Sequence, residues 1–184
     1  PGLRVISPSN SNDAYWMIQQ AIESNDPVIF FEPKRRYWQK GMVNLDSPPL
    51  GMHDAKVLRE GSQVTLVSYG PMIPTALQAA EIAAAEGISI EVVDLRSMSP
   101  IDFATIINSV KKTGRLVVAS EASTSFSISA EIAAKVAELA FYHLEAPVIR
   151  VGSFDVPYPP AKLEELFLPD ADRILEAVDR SLSY

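Results

Sequence analysis

Two runs rich in β-branched residues, 64–69 and 88–93, stand one crossover helix apart, and a third, 116–119, follows a second helical spacer. Strand, helix, strand in that alternation admits few folds, all with a parallel sheet covered by helices. The first spacer predicts a helix over 71–86. Pro71 and Pro74 fall in its first turn, where amides have no intrahelical partner, and Ile73, Leu77, Ala80 and Ala84 form its buried stripe with Gly87 as the stop. The second spacer opens on Ser99-Pro100-Ile101-Asp102, read as a hydroxyl cap, a proline at the first helical position and an acid behind it. Phe103, Ile106, Ile107 and Val110 then supply an i, i+3, i+4, i+7 face, and Gly114 ends the helix.

The rest of the chain is placed around that sheet. Residues 1–40 read as one strand–helix–strand unit: an apolar strand over 3–7, capping residues over 9–13, a helix to about Glu23, a break at Asp26-Pro27 and an apolar strand over 28–31. Two parallel strands alone are a poor unit, so this piece needs a larger sheet than the chain supplies. Residues 41–55 lack periodicity, carry Pro48 and Pro49, and read as a linker. Beyond it, 57–59 is an edge strand and 120–129 a serine-rich loop. A third helix follows with Ile128, Ile132, Val136 and Leu139 inward, then a last strand over 147–151. A closing helix over 170–182 turns Ile174, Leu175, Val178 and Leu182 to the core.

Composition removes several classes of function. A net charge of −7 argues against nucleic acid or an anionic membrane as partner, and no apolar run approaches a membrane span. With no cysteine there is no disulfide, thiolate ligand or cysteine nucleophile. The eight glycines never fall closer than nine residues apart, which rules out a Walker loop or a dinucleotide fingerprint. His53 and His143 stand far apart and read as boundary histidines rather than zinc ligands or catalysts. Glu121 falls at the carboxyl edge of the sheet, where α/β proteins place ligands. Asp94 and Arg96 read as loop anchors that pair with each other or cap the following helix. Tyr15, Trp16, Tyr37 and Trp38 read as packing or interface residues.

Four strings in order, D-L-R-S-M-S-P-I-D (94–102), V-K-K-T-G-R-L-V-V (110–118), S-E-A (120–122) and L-E-A-P-V-I-R-V (144–151), resemble the C-terminal domain of thiamine-diphosphate-dependent 2-oxo acid dehydrogenase β subunits. Upstream, P-G-L-R-V-I-S-P-S and D-P-V-I-F-F-E-P-K-R-R-Y look like the end of the pyrimidine-binding domain of the same subunits, and the F-E-P-K-x-x-Y form looks like the branched-chain enzyme. The resemblance implies a three-layer α/β transketolase C-terminal-like domain with a mostly parallel sheet over 56–184. A strand–helix–strand remnant of the pyrimidine-binding domain over 1–40 precedes it. It also implies a role in oxidative decarboxylation of a branched 2-oxo acid and acyl transfer to lipoyl groups, with pyruvate or acetoin dehydrogenase as the alternatives. A purely structural module for dimerisation and acyltransferase docking is the rival from another class.

The implied partners are an α subunit, a second β subunit and the dihydrolipoyl acyltransferase, which the acidic C-terminal end at Tyr184 would meet. The implied cofactors are thiamine diphosphate and Mg2+ in the full assembly. This chain alone is expected to be inactive and not to bind them, because the family's activating glutamate and histidine lie upstream and its diphosphate motif belongs to the α subunit. A structural potassium ion of the family would meet the carbonyl groups of Ala21, Ser24 and Asp26. The sequence departs from the family at Ser120, where a histidine is usual, and at Ser125-Phe126-Ser127, where glycines are usual. Because the sequence opens on Pro1 without a methionine, it reads as a piece of a longer polypeptide. The implied compartment is the bacterial cytoplasm, or the mitochondrial matrix in a eukaryote.

Overall fold

The computed structural model describes residues 2–46, 48 and 50–184. Pro1 and two positions of the expected linker, Ser47 and Pro49, lie outside the described residues. In chain order the elements are β1 (Arg4–Ile6), α1 (Ser11–Glu23), β2 (Val28–Phe30), β3 (Lys56–Arg59), β4 (Val64–Ser68), α2 (Ile73–Ala85), β5 (Ile90–Asp94) and β6 (Ser97–Ser99). There follow α3 (Phe103–Thr113), β7 (Leu116–Ser123), α4 (Ile128–Leu139), β8 (Ile149–Ser153), α5 (Glu164–Phe167) and α6 (Ala171–Leu182). None of these helices is long and apolar enough to cross a membrane.

Among the described residues the strands form two sheets, a five-stranded one in the order β3-β5-β4-β7-β8 and a three-stranded one in the order β2-β1-β6. In the larger sheet β5, β4, β7 and β8 run parallel, and β3 closes one edge antiparallel to β5. Alternation along its strands splits the core in two, as a period of two requires. Val64, Leu66, Ile90, Val92, Val117 and Ala119 face α2 and α6, while Val67, Val93, Leu116 and Val118 face α3 and α4. The result is the three-layer α/β fold expected from the alternation of strands and helices.

Several local expectations are corrected. The buried stripe of α2 is Ile73, Ala76, Ala79, Ala80 and Ala83, with Ala84 exposed, because the sheet is approached through the small alanines and Leu77 lies at the flank. Leu139 is exposed, since α4 ends there and Ala140 takes the inward position. β7 runs on to Ser123 through the expected serine loop, paired at its end with Ser153, and β8 accordingly spans Ile149–Ser153 rather than 147–151. Ser99 caps no helix. It lies in β6, its hydroxyl donates to the Leu3 carbonyl at 2.7 Å, and α3 begins later under Asp102, whose carboxylate accepts the Thr105 N–H at 3.0 Å.

β6 also changes the status of the first unit. It crosses from the end of β5 to pair antiparallel with β1, so the strand–helix–strand piece gains a third strand from within the chain. Just before α4, Phe126 adopts a left-handed φ of 56° with its ring fully exposed.

Candidate functional site

The chain folds so that the carboxyl ends of β1, β2, β4 and β7 converge. Parallel pairing of β1 with β2 and of β4 with β7 brings Ser7, Phe31, Tyr69 and Glu121 to one place. They border a cavity of about 400 Å3 whose apolar walls include Pro33 and Met98. The carboxyl edge of such a sheet is the usual ligand position in this architecture. Glu121 lies 2.6 Å from the Arg35 guanidinium, with its Oε1 off the hydrogen-bonding direction. Burial pushes its carboxyl up, and Arg35 and Arg36 oppose that shift. Burial likewise raises the Tyr69 phenol, and the Glu121 carboxylate adds to that shift. Arg36 is fixed by the Pro71 carbonyl at 2.7 Å, and burial followed by Arg35 lowers its pKa. A raised carboxyl and a phenol on an apolar wall can hold and exchange protons with a ligand.

A second group of polar residues bolts the two sheets together. Arg96, fully buried with φ 57°, donates to the carbonyls of Gly51 at 2.8 Å and Asp54 at 2.7 Å. Its Nη2 lies 3.2 Å from the buried Asp13 of α1, a distance of attraction without hydrogen-bond alignment. Asp94 accepts the Ser9 hydroxyl at 2.5 Å and the Arg96 N–H at 3.0 Å. Burial nevertheless raises it to about 7, with Asp13 adding to the shift. The expected anchors therefore pair chiefly with α1 and the linker, and Asp94 meets Arg96 through the backbone. Ser9 and Asp13 were legible only as helix-capping residues, because nothing local in the sequence points across to Asp94.

A third chain of contacts runs along the same seam. Arg4 donates to Asp26 at 2.6 Å and to His53 Nε2 at 2.8 Å. Since arginine can only donate, His53 carries its proton on Nδ1 and gives it to Ser97 Oγ at 3.0 Å, and Ser97 donates to the Pro100 carbonyl at 2.6 Å. Burial and then Arg4 lower the His53 pKa. The boundary histidine is thus a connector between β1, the linker and β6.

Ala21, Ser24 and Asp26 stand together at the end of α1. The Ser24 N–H donates to the Ala21 carbonyl at 3.3 Å, the Asp26 N–H to Ser24 Oγ at 3.2 Å, and the Asp26 carboxylate is taken by Arg4. Tyr184 lies exposed beyond α6, far in sequence from both clusters. Among the described residues no group of three or more His, Cys, Asp or Glu is placed to hold a metal ion.

The transketolase C-terminal domain family matches residues 53–174, and the chain belongs to that family. That match covers the five-stranded sheet and most of its helices. Likeness to whole proteins extends further. The chain is 62% identical over 183 residues to the pyruvate dehydrogenase E1 component subunit beta of Leifsonia xyli subsp. xyli, covering 100% of this chain and 54% of that protein. It is 48% identical over 182 residues to the 3-methyl-2-oxobutanoate dehydrogenase subunit beta of Mycobacterium tuberculosis, covering 98% of this chain and 52% of that one. Among solved structures it is similar to a split-gene transketolase in an inactive β4 tetramer, with a TM-score of 0.78, 31% identity, and coverage of 100% of this chain and 58% of that chain. The chain spans about half the length of the curated relatives it matches.

Proposed function

We propose that this chain is the C-terminal part of the β subunit of a thiamine-dependent 2-oxo acid dehydrogenase, one that supports the active site and the assembly rather than carrying the chemistry. The observation behind this reading is the 62% identity that runs through the whole chain, including residues ahead of the family match at 53. Residues 1–40 are then the end of a pyrimidine-binding domain, 41–55 the connection and 56–184 the C-terminal domain. Partners on this reading are an α subunit, a second β subunit and the lipoyl-bearing acyltransferase. Exposed Ile22 and Trp38 on the first unit, and Met42 in the connection, are consistent with burial in such an assembly.

The residues present do not make a thiamine diphosphate site by themselves. That cofactor needs a metal-held diphosphate and a carboxylic acid against its aminopyrimidine. Here Glu121 is paired with Arg35 and Asp94 is buried in the junction, and the described residues offer no metal cluster. No catalytic step is therefore assigned to this chain. The end of α1 at Ala21, Ser24 and Asp26 is proposed as part of a potassium site through carbonyl oxygens, which suit that ion. A melting temperature that rises with KCl but not with NaCl would support it. An equal response to the two salts would not. Docking of the acyltransferase at the acidic end by Asp179 and Tyr184 predicts weaker, less salt-sensitive binding after removal of residues 182–184.

The branched-chain substrate rests on the F-E-P-K-x-x-Y string, and the pyruvate reading on the greater identity to the Leifsonia subunit. The assay that separates them uses the full β subunit carrying this segment with its α subunit, thiamine diphosphate and Mg2+. A higher kcat/KM for 3-methyl-2-oxobutanoate than for pyruvate supports the branched-chain reading, and the reverse order supports the other. Turnover of neither, by a well-formed complex, contradicts the enzyme reading and favours a module for assembly only.

A further inference from the structure

The amino edge of the large sheet, opposite the junction, carries a cavity of about 390 Å3 that the proposed function leaves unused. Lys111 and Lys112 reach it from the end of α3, Arg115 from the start of β7, Gln63 from the turn before β4, and Tyr142 and His143 from the short 3-10 turn Phe141–His143. Three permanent cations converge here in a chain whose net charge is −7.

Their present partners do not close the site. Lys112 is shared between Glu60 at 2.6 Å and the buried Glu91 and stays committed to them, which leaves Lys111 and Arg115 as the cations open to a ligand. Arg115 pairs with Glu145 at 2.5 Å, a carboxylate 61% exposed. Exposed pairs of this kind are worth about 0–1 kcal/mol and yield readily to a multiply charged anion. Arg115 stays oriented without Glu145, because its Nε also donates to the Ser181 carbonyl at 3.0 Å. Lys111 has no ion-pair or hydrogen-bond partner among the described residues. Tyr142 is 97% exposed and meets Phe141 only edge to face, which leaves a ring face open beside the cations.

We infer that this cleft is a binding site for a nucleoside polyphosphate, with Lys111, Arg115 and His143 on the phosphates and Tyr142 stacked on the base. The volume falls in the usual range of about 300–1,000 Å3 for small-ligand pockets. Charge alone would serve inorganic pyrophosphate equally well. The open aromatic ring is what favours a nucleotide, since a base stacked on an aromatic ring is worth about 1–3 kcal/mol. The site lies at the opposite edge of the sheet from Glu121, and its lining shares no residue with the Glu121 cavity.

Calorimetric titration of the whole chain at low salt with ADP, pyrophosphate and adenosine tests this. ADP is expected to bind about tenfold more tightly than pyrophosphate, and adenosine weakly or not at all. Lys111→Ala should weaken ADP and pyrophosphate alike by about tenfold. Tyr142→Ala should weaken ADP to the level of pyrophosphate and leave pyrophosphate unchanged. Both residues are exposed, and an unchanged melting temperature confirms that the variants fold. No saturable binding of either anion, or binding that Lys111→Ala leaves intact, overturns the site. Equal affinity for ADP and pyrophosphate with no effect of Tyr142→Ala overturns the nucleotide assignment.

Discussion

Burial, against hydrogen bonds from Ser9 and the Arg96 backbone, lifts the Asp94 carboxyl from 3.8 to about 7. Its folded pKa thus lies above its unfolded one, so between those values the native state holds a proton that the unfolded chain has released. Stability from this group is full below the unfolded value and falls as pH rises towards 7, on the order of 1.4 kcal/mol per pH unit. Asp94→Asn imitates the protonated form, and denaturant unfolding across pH 4–8 should show a flatter profile than the parent chain. Identical slopes would mean that Asp94 is ionised throughout. Phe126 makes a different claim at the same scale. A left-handed residue other than glycine costs about 1–2 kcal/mol, and a fully exposed ring returns little of it. Phe126→Gly, which removes the Cβ that disfavours this conformation, should raise the urea midpoint by an amount equivalent to about 0.5–1 kcal/mol. A lower midpoint would show that the ring stabilises the folded state.

Elements were legible where their sequence signal was periodic. The β-branched runs became β4, β5 and β7, and the i, i+3, i+4, i+7 spacing of α3 gave its buried face, with Ile106 and Val110 fully inside. The stripe of α2 was misplaced because alanines carry no size contrast, so several registers fit the pattern and only the approach to the sheet selects Ala76, Ala79 and Ala83. β6 was hidden because Ser97-Met98-Ser99 has neither alternation nor β-branching. Its strand form comes from pairing with β1, more than ninety residues earlier. Asp94 with Ser9, and Arg96 with Asp13, are long-range for the same reason, so the candidate site was visible only at Glu121. Gly61 shows contact between elements at its tightest. A Cβ built there would lie 2.1 Å from the Glu91 nitrogen and 2.2 Å from the Ile90 carbonyl carbon, both backbone atoms of β5. Gly61→Ala should therefore push the β3–β4 turn off the sheet and cost about 1–3 kcal/mol. A loss below a few tenths, read by thermal unfolding, would contradict that close approach.

At the scale of the whole molecule, Arg96 decides whether the two sheets act as one. Arg96→Met leaves the Asp13 carboxylate without its buried countercharge and the Gly51 and Asp54 carbonyls without their donor, a change that costs about 3–5 kcal/mol in comparable pairs. Both tryptophans, Trp16 and Trp38, belong to the first unit and report on it alone. In the parent chain fluorescence and far-UV circular dichroism should trace one transition. In the variant the fluorescence transition should come first, and coincident curves would mean that other contacts suffice to hold the junction. The central claim is that this segment supports an active site whose cofactor-binding groups lie elsewhere. Calorimetric titration of the isolated chain with thiamine diphosphate and Mg2+ tests it most directly. No saturable heat is expected up to millimolar cofactor, and a dissociation constant in the micromolar range, about −8 kcal/mol of binding free energy, would contradict it.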